Sequence, residues 1–298
     1  MNAQAFGLDP AQVRRAFERA ATEGDDAAVL QREVEQRMFE RLDYIRVRPN
    51  RVLDCGCGMG RGLKLLRQRY PGADLLGVDF APGVLIAAKR NETLLERARR
   101  IVSGPGRFHL CTDFARLPLR SASVDMVWSN LALAWASDPP KALREFHRVL
   151  IAGGLLMFSS YGPDTLKELK AAFGGDSAAR HVHSFIDMHD LGDMLVASGF
   201  AAPVMDMEIV TLTYSAVRAL LRDLKASGQT CAARDRHRGL MGRRAWERML
   251  ASYERERKED RLPATIEVIY GHAWKSEPRT TGDGRRIIEV ELDAKKSR

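Results

Sequence analysis

The sequence contains no apolar run of about 18 residues, which excludes a membrane-spanning helix on length alone. Its start, Met1 to Pro10, lacks the basic cluster and apolar stretch of a secretory signal, so a cytoplasmic location is expected. Cysteine is scarce. Cys55 and Cys57 share one tight loop, while Cys111 and Cys231 are scattered. That spacing makes neither a disulfide framework nor a zinc ligand set, and no metal is expected. Aromatic residues make up only 7%, and none interrupts the most basic stretch, Arg234 to Arg244. Base stacking has nothing to work with there, so nucleic acid is not an expected partner. An excess of acid is missing too. The formal charge is +8, a balance that favours some anionic partner without naming it. What remains, 298 residues with 45% hydrophobic and 29% charged side chains, suits a soluble globular chain of one large or two small domains.

Apolar residues recur at helical spacing from Pro10 to Asp43, through Val13, Phe17, Val29, Leu30, Val34 and Met38. A polar break at Thr22 to Asp26, with Gly24 inside it, separates two helices. After Pro49 the period changes. Strands are expected at Arg51–Asp54, Leu75–Asp79, Arg107–Cys111, Val124–Trp128 and Gly154–Ser160. Helices are expected between them at Leu63–Tyr70, Pro82–Asn91 and Pro140–Leu150. Such alternation predicts a parallel α/β sheet covered on both faces. Further on, helices are expected at Asp187–Ser198, Tyr214–Ala226 and Arg243–Glu259, with strands at Val204–Leu212 and Ala264–Trp274. The charged tail from Glu277 shows no core pattern and is expected to be mobile.

Candidate site residues gather at the ends of the first four strands. Asp54-Cys55-Gly56-Cys57-Gly58-Met59-Gly60 is a Gly-x-Gly-x-Gly loop, which lets backbone pass close to a ligand because glycine carries no Cβ. A tight structural turn is the bland alternative. Asp79, at the end of the second strand and followed by Phe80, suits the two hydroxyls of a ribose. Asp113 can accept from an adenine amino group and Phe114 can cover the base. Asn130 and Leu131 follow the fourth strand, where a turn-forming role competes with a ligand-facing one. All four loops fall at one sheet edge, outside the carboxyl ends of the strands, where α/β sheets bind ligands. A nicotinamide dinucleotide would prefer Gly-x-Gly-x-x-Gly, which this loop is not.

Val52 to Gly60 resembles motif I of the class I S-adenosylmethionine-dependent methyltransferases, and Leu76-Gly77-Val78-Asp79 resembles their following acidic motif. Leu117-Pro118-Leu119, Val124 to Val127, Ala142 to Leu150 and Gly153-Gly154 continue the match to about residue 160. The resemblance implies a Rossmann-like α/β fold: a mostly parallel seven-stranded sheet, helices on both faces and an inserted helical cap. It implies S-adenosylmethionine as cofactor, held by Asp54, Gly56, Cys57, Gly58, Gly60, Asp79, Phe80, Asp113, Phe114, Asn130 and Leu131. The expected division is a helical lid over 1–48, a catalytic domain over 49–275 with the insertion at about 213–260, and a flexible tail over 276–298.

The carboxyl half narrows this. Phe158 to Leu169, His181 to Gly192, Pro263-Ala264-Thr265 and Tyr270 to Lys275 resemble the malonyl-acyl-carrier-protein O-methyltransferase family of biotin synthesis. That resemblance implies esterification of the free carboxylate of a malonyl thioester. A carboxylate is already ionised at neutral pH, so no general base is needed. Something must orient it. Tyr161 and His183 stand in the distinctive motifs, with His181 nearby. Arg218 and Arg222 share a face of a predicted helix, and Arg222 offers the bidentate fork that suits a carboxylate. A solvated helix face and a structural histidine are the ordinary alternatives. Arg234, Arg236, Arg238, Arg243 and Arg244 are placed to dock an acidic carrier protein. One departure stands out: Gly24 occupies the place of a family Tyr that closes over the cofactor. Respiratory complex I assembly factors share the Asp-Leu-Gly run and the Pro-Ala-Thr strand. A protein-arginine hydroxylase or a non-catalytic assembly protein on the same fold is therefore the rival reading.

Overall fold

A computed structural model describes residues 7–23, 28–90, 107–174 and 180–277. Gly24, most of the expected polar break around it, Asn91 and the tail beyond Glu277 lie outside the described residues.

The sheet has seven strands in the order β3-β2-β1-β4-β5-β7-β6. They are β1 (Arg51–Cys55), β2 (Asp74–Asp79), β3 (Arg107–Cys111), β4 (Val124–Ser129), β5 (Leu150–Tyr161), β6 (Phe200–Tyr214) and β7 (Leu262–Lys275). The first five pair in parallel, and β7 lies antiparallel between β5 and β6. The strand order turns back between β1 and β4. That reversal opens the crevice in which open α/β sheets take their ligands.

Parallel strands need both faces covered, and successive side chains supply two cores. Val52, Leu75, Met126, Leu155 and Met157 point to one face, and Leu53, Val78, Val127, Leu156 and Phe158 to the other. The first face is covered by α1 (Pro10–Glu23), α2 (Val29–Arg41) and α3 (Arg61–Arg69). Two later helices between β6 and β7 join them there, α8 (Val217–Ala226) and α9 (Arg243–Glu254). The second is covered by α5 (Pro139–Val149) and α7 (Met188–Ala197). Helix α4 (Pro82–Arg90) packs beneath α1. The short α6 (Lys167–Ala172) packs against α9.

Several boundaries moved for identifiable reasons. The helix expected over Arg243–Glu259 stops at Glu254, where the amides of Arg255, Glu256 and Arg257 bond three residues back instead of four, and Glu259 and Asp260 take positive φ in a turn closed between Lys258 and Arg261. Strand β6 runs longer than its apolar pattern, since every residue but a bulge near Ala202 can pair with β7. Helix α6 escaped the pattern reading. It is one and a half turns long, too short for a periodicity to show, and starts from Leu166 in the left-handed region. Its place is set by side chains. Glu168 accepts from the Thr265 amide (3.0 Å) and the Thr265 hydroxyl, and Thr165 exchanges bonds with the Glu267 backbone, both at 3.1 Å. The distinctive Gly-Pro-Asp-Thr and Pro-Ala-Thr runs are thus two sides of one seam.

The chain start is tied down by the segment after α8. Asp9 donates its amide to Ala232 (2.8 Å), Arg234 donates to Gly7 (2.7 Å), and Arg236 pairs with the Asp9 carboxylate at 3.2 Å. No helix among the described residues is long and apolar enough to cross a membrane.

Phe146 is fully buried at the centre of the second core, against Phe114. Phe146→Ala is expected to lower unfolding free energy by about 3–5 kcal/mol, read as a lower urea midpoint with an unchanged slope.

Candidate functional site

The glycine loop is pinned from one atom. The Val78 carbonyl at the end of β2 accepts from the amides of Gly56 (2.8 Å) and Cys57 (3.0 Å). The loop then needs φ of +78° at Gly56, +52° at Gly58 and +81° at Gly60, values that residues with a Cβ rarely take. A side chain on Gly56 would also strike Ala132, whereas one on Gly58 would meet nothing within 4 Å. Gly58 therefore faces open space, and Gly60 serves as the left-handed start of α3.

Asp79 completes the loop. Its carboxylate accepts from the Gly58 amide (3.2 Å) and the Ala81 amide (2.9 Å). The group is almost wholly buried, and desolvation pushes its pKa above the ordinary carboxylate range, only partly offset by those amides. A carboxyl raised in this way costs the fold stability as pH rises above the ordinary carboxylate range, where the unfolded chain ionises first. Holding a charge at such a cost is common where a ligand is to be met.

A cavity of about 200 Å³ lies against this edge. It gathers Gly56, Cys57, Gly58, Asp79, Phe80, Asp113, Phe114, Asn130 and Leu131 from the sheet side. Val13, Phe17 and Ala20 of α1 form its opposite wall, with Arg32 and Glu35 of α2 and Arg61 of α3 beside the loop. Arg61 pairs with Glu35 at 3.4 Å. Two expected residues stand behind the cavity instead. Asp54 is buried beneath the loop near Gly62, and Gly60 turns the chain into α3. Asn130 has a structural duty: its amide donates to the Gln31 carbonyl (3.0 Å), and its carbonyl accepts from Ser159 (2.8 Å), whose hydroxyl accepts in turn from the Leu131 amide. It joins α2, β4 and β5 at the point where the sheet reverses.

A second cavity, about 190 Å³, adjoins the first. Four residues line both: Gln31, Trp135, Ser227 and Gln229. Trp135 meets Phe17 edge-on on one side (5.3 Å) and His183 edge-on on the other (4.8 Å). Tyr161 and His183 line this second cavity. Tyr161 is fully buried, its hydroxyl has the Gln229 side chain as a polar neighbour, and burial raises its pKa well above that of a free phenol. His183 is pushed down to about 4 by burial, so its ring is neutral at pH 7. Its Nε2 lies 3.2 Å from the Thr230 carbonyl and 3.1 Å from the Ala232 amide, donating to the first in one tautomer or accepting from the second in the other, while Nδ1 is buried without a hydrogen-bond partner. His181 also lines the cavity, stacked on Phe173 at 4.0 Å.

Arg222 does not join them. Val217, Leu220, Leu221 and Leu224 turn one face of α8 inward, which puts Arg218, Arg222 and Lys225 on the exposed face. Arg218 lies over the Trp246 ring instead (5.6 Å). The i, i+3, i+4, i+7 spacing of those apolar residues foretells this, and it outweighs the chemical appeal of a guanidinium. Gln31 was the residue passed over. It lies on the inward stripe of α2 with Val34, Glu35 and Met38, and a polar residue on a buried helical stripe is a legible signal. Its Oε1 is buried and unpartnered. Trp135, Ser227 and Gln229 carried no such mark. Among the described residues, no group of His, Cys, Asp and Glu assembles that could hold a metal ion.

Residues 53–158 match the family model described as "Methyltransferase domain". Among solved structures, the YcgJ protein of Bacillus subtilis superposes with a TM-score of 0.56 at 16% identity, over 83% of this chain and 99% of that one. The cyclase SpnF superposes at 0.50 and 20% identity, over 82% and 81%. These likenesses establish a methyltransferase-type Rossmann-like fold, and the cyclase shows that the fold alone leaves the reaction open. The sequence relatives are nearer. Malonyl-acyl-carrier-protein O-methyltransferase of Laribacter hongkongensis is 54% identical over 96% of this chain and 97% of its own. Its counterpart in Gallionella capsiferriformans is 49% identical over 97% and 99%. The chain belongs to the malonyl-acyl-carrier-protein O-methyltransferase family.

Proposed function

We propose that this protein transfers a methyl group from S-adenosylmethionine to the free carboxylate of a malonyl thioester on an acyl carrier protein, the step that the resemblance to biotin-synthesis enzymes implied. One observation carries the reading: two cavities of similar size meet at a shared wall, one at the glycine loop with Asp79 and the other lined by Tyr161, His183 and Gln229. The relatives at about half identity are named for this reaction, and none of these names favours a hydroxylase or an assembly protein.

The first cavity suits the cofactor by the chemistry of its donors. Asp79 offers a buried carboxylate for ribose hydroxyls, Asp113 an acceptor for an adenine amine, and Phe80 and Phe114 apolar cover. Gly58 leaves backbone open to close approach. Arg32, Arg61 and Glu35 supply both charges for an amino-acid end. When bound, S-adenosylmethionine supplies an electrophilic methyl group on a positive sulfur. The protein's own part is to bring an oxygen in line with it and to keep water away. No base is required, because the acceptor is ionised already. Tyr161, its pKa raised, remains a hydrogen-bond donor rather than a base. His183, neutral, neither delivers nor removes a proton at working pH. Helices α1 and α2, which wall the first cavity, act as its lid in this reading. Docking of an acidic carrier falls to Arg238, Arg243 and Arg244, which are exposed around a fully exposed Leu240. Arg236 is excluded from that role, since it is held by Asp9 and the Ala233 carbonyl.

Incubation with methyl-labelled S-adenosylmethionine and malonyl-acyl carrier protein is expected to yield a labelled methyl ester. Cofactor bound without ester formed refutes the proposal. Asp79→Asn keeps one carbonyl acceptor for the loop but loses the charge. Its cofactor dissociation constant is expected to rise about tenfold or more, with thermal stability unchanged or higher. In the parent protein, affinity falls on acidification, beginning above the ordinary carboxylate range, because the raised pKa protonates the acceptor early. Changing Arg238, Arg243 and Arg244 together to Glu is expected to raise KM for the carrier substrate about tenfold, leave kcat unchanged, and spare a small malonyl thioester.

A further inference from the structure

Among the described residues, no Lys or Arg lines the second cavity. The one carboxylate among them, Asp223, accepts from the Tyr214 hydroxyl at 2.6 Å. The guanidinium beside His183, that of Arg180, pairs with Asp235 at 3.1 Å and donates to Ser184, and it does not line the cavity. Arg32 and Arg61 line only the first cavity, and Arg61 is paired with Glu35. Asp223 apart, the polar groups facing this space are neutral, among them the Tyr161 hydroxyl, the Gln229 and Gln31 amides and the His183 ring.

An anion entering such a space gives up water without meeting a protein cation, which is costly. We infer that the acceptor cavity binds a carboxylate only when the adjoining cavity already carries a positive charge at the shared wall, so that the charge state of the bound cofactor gates acceptor binding. This rests on the methyltransferase reading. It gives the neutral wall a purpose. A guanidinium paired with the acceptor would stabilise the carboxylate before transfer and blunt its attack. Neutral donors orient the oxygen and leave its charge uncompensated except by the sulfonium. In the transfer, the carboxylate oxygen forms a bond to the methyl carbon as the carbon–sulfur bond breaks, with its electron pair passing to sulfur. Both charges disappear together. The neutral ester then faces a neutral thioether across Gln31 and Trp135, and nothing electrostatic retains it.

The test measures binding by calorimetry, with the protein saturated by either of two cofactor analogues. Sinefungin carries a protonated amine in place of the methyl-bearing sulfonium, and S-adenosylhomocysteine is neutral at sulfur. Malonyl-acyl carrier protein is expected to bind at least about tenfold more tightly with sinefungin, as a unit charge at contact distance would give. The same carrier bearing the malonyl methyl ester is expected to show no such difference. Equal malonyl affinities with both analogues, while labelled ester still forms in the turnover assay, overturn the gating inference and leave the methyltransferase reading intact. Absence of both malonyl-dependent binding and ester overturns the two together.

Discussion

Two hydrogen bonds to one carbonyl organise this molecule. Val78 is the penultimate residue of β2, and its oxygen takes the amides of both Gly56 and Cys57, so the loop leaving β1 cannot lift away from the neighbouring strand. The parallel register of β1 on β2 brings Asp54 beside Gly77 and Cys55 beside Val78. Asp79, one residue further, is then delivered beneath the Gly58 amide. Once that corner is set, α3 begins from Gly60 and its Gly62 comes so near Asp54 and Glu35 that a side chain there has no room. Helix α2 is thereby seated over the loop, and with it Gln31 at the wall between the cavities.

The same corner brings the two cavities to one shared wall. Asn130, at the reversal point between β1 and β4, links the Gln31 carbonyl to Ser159 of β5. Behind the second cavity, the segment from Thr230 to Ala233 touches His183 and then hands its backbone to Asp9 at the start of α1. Phe17 of that helix meets Trp135, and Trp135 meets His183. A continuous chain of contacts therefore runs from the acceptor wall to the helix that covers the first cavity.

The charge distribution is uneven in a useful way. The excess of positive charge is spent outside the acceptor cavity. Arg238, Arg243 and Arg244 are exposed near Leu240, and Arg236 fastens the chain start. Exposed guanidinium groups steer an acidic partner over a distance and contribute little to stability. Among the described residues, the second cavity is lined by no Lys or Arg.

The sheet and the first cavity were legible because they are local. Strand–glycine loop–helix, an acid at the next strand end, and short apolar runs all fall within short windows, and parallel strands impose their order through right-handed crossovers. The four strand ends around Gly58, Asp79, Asp113 and Asn130 needed no knowledge of distant contacts to be placed together. Arg222 failed for a local reason as well, since the stripe Val217, Leu220, Leu221 and Leu224 already turned it outward. What the sequence could not settle is the junction. Gln31, Trp135 and the neighbouring Ser227 and Gln229 lie about a third to two thirds of the chain apart, and no period links them. Only the packing of α2 and α8 on the same face of the sheet brings them to one wall. Long-range burial made that choice, because the two helices share a single apolar face and must close over it side by side.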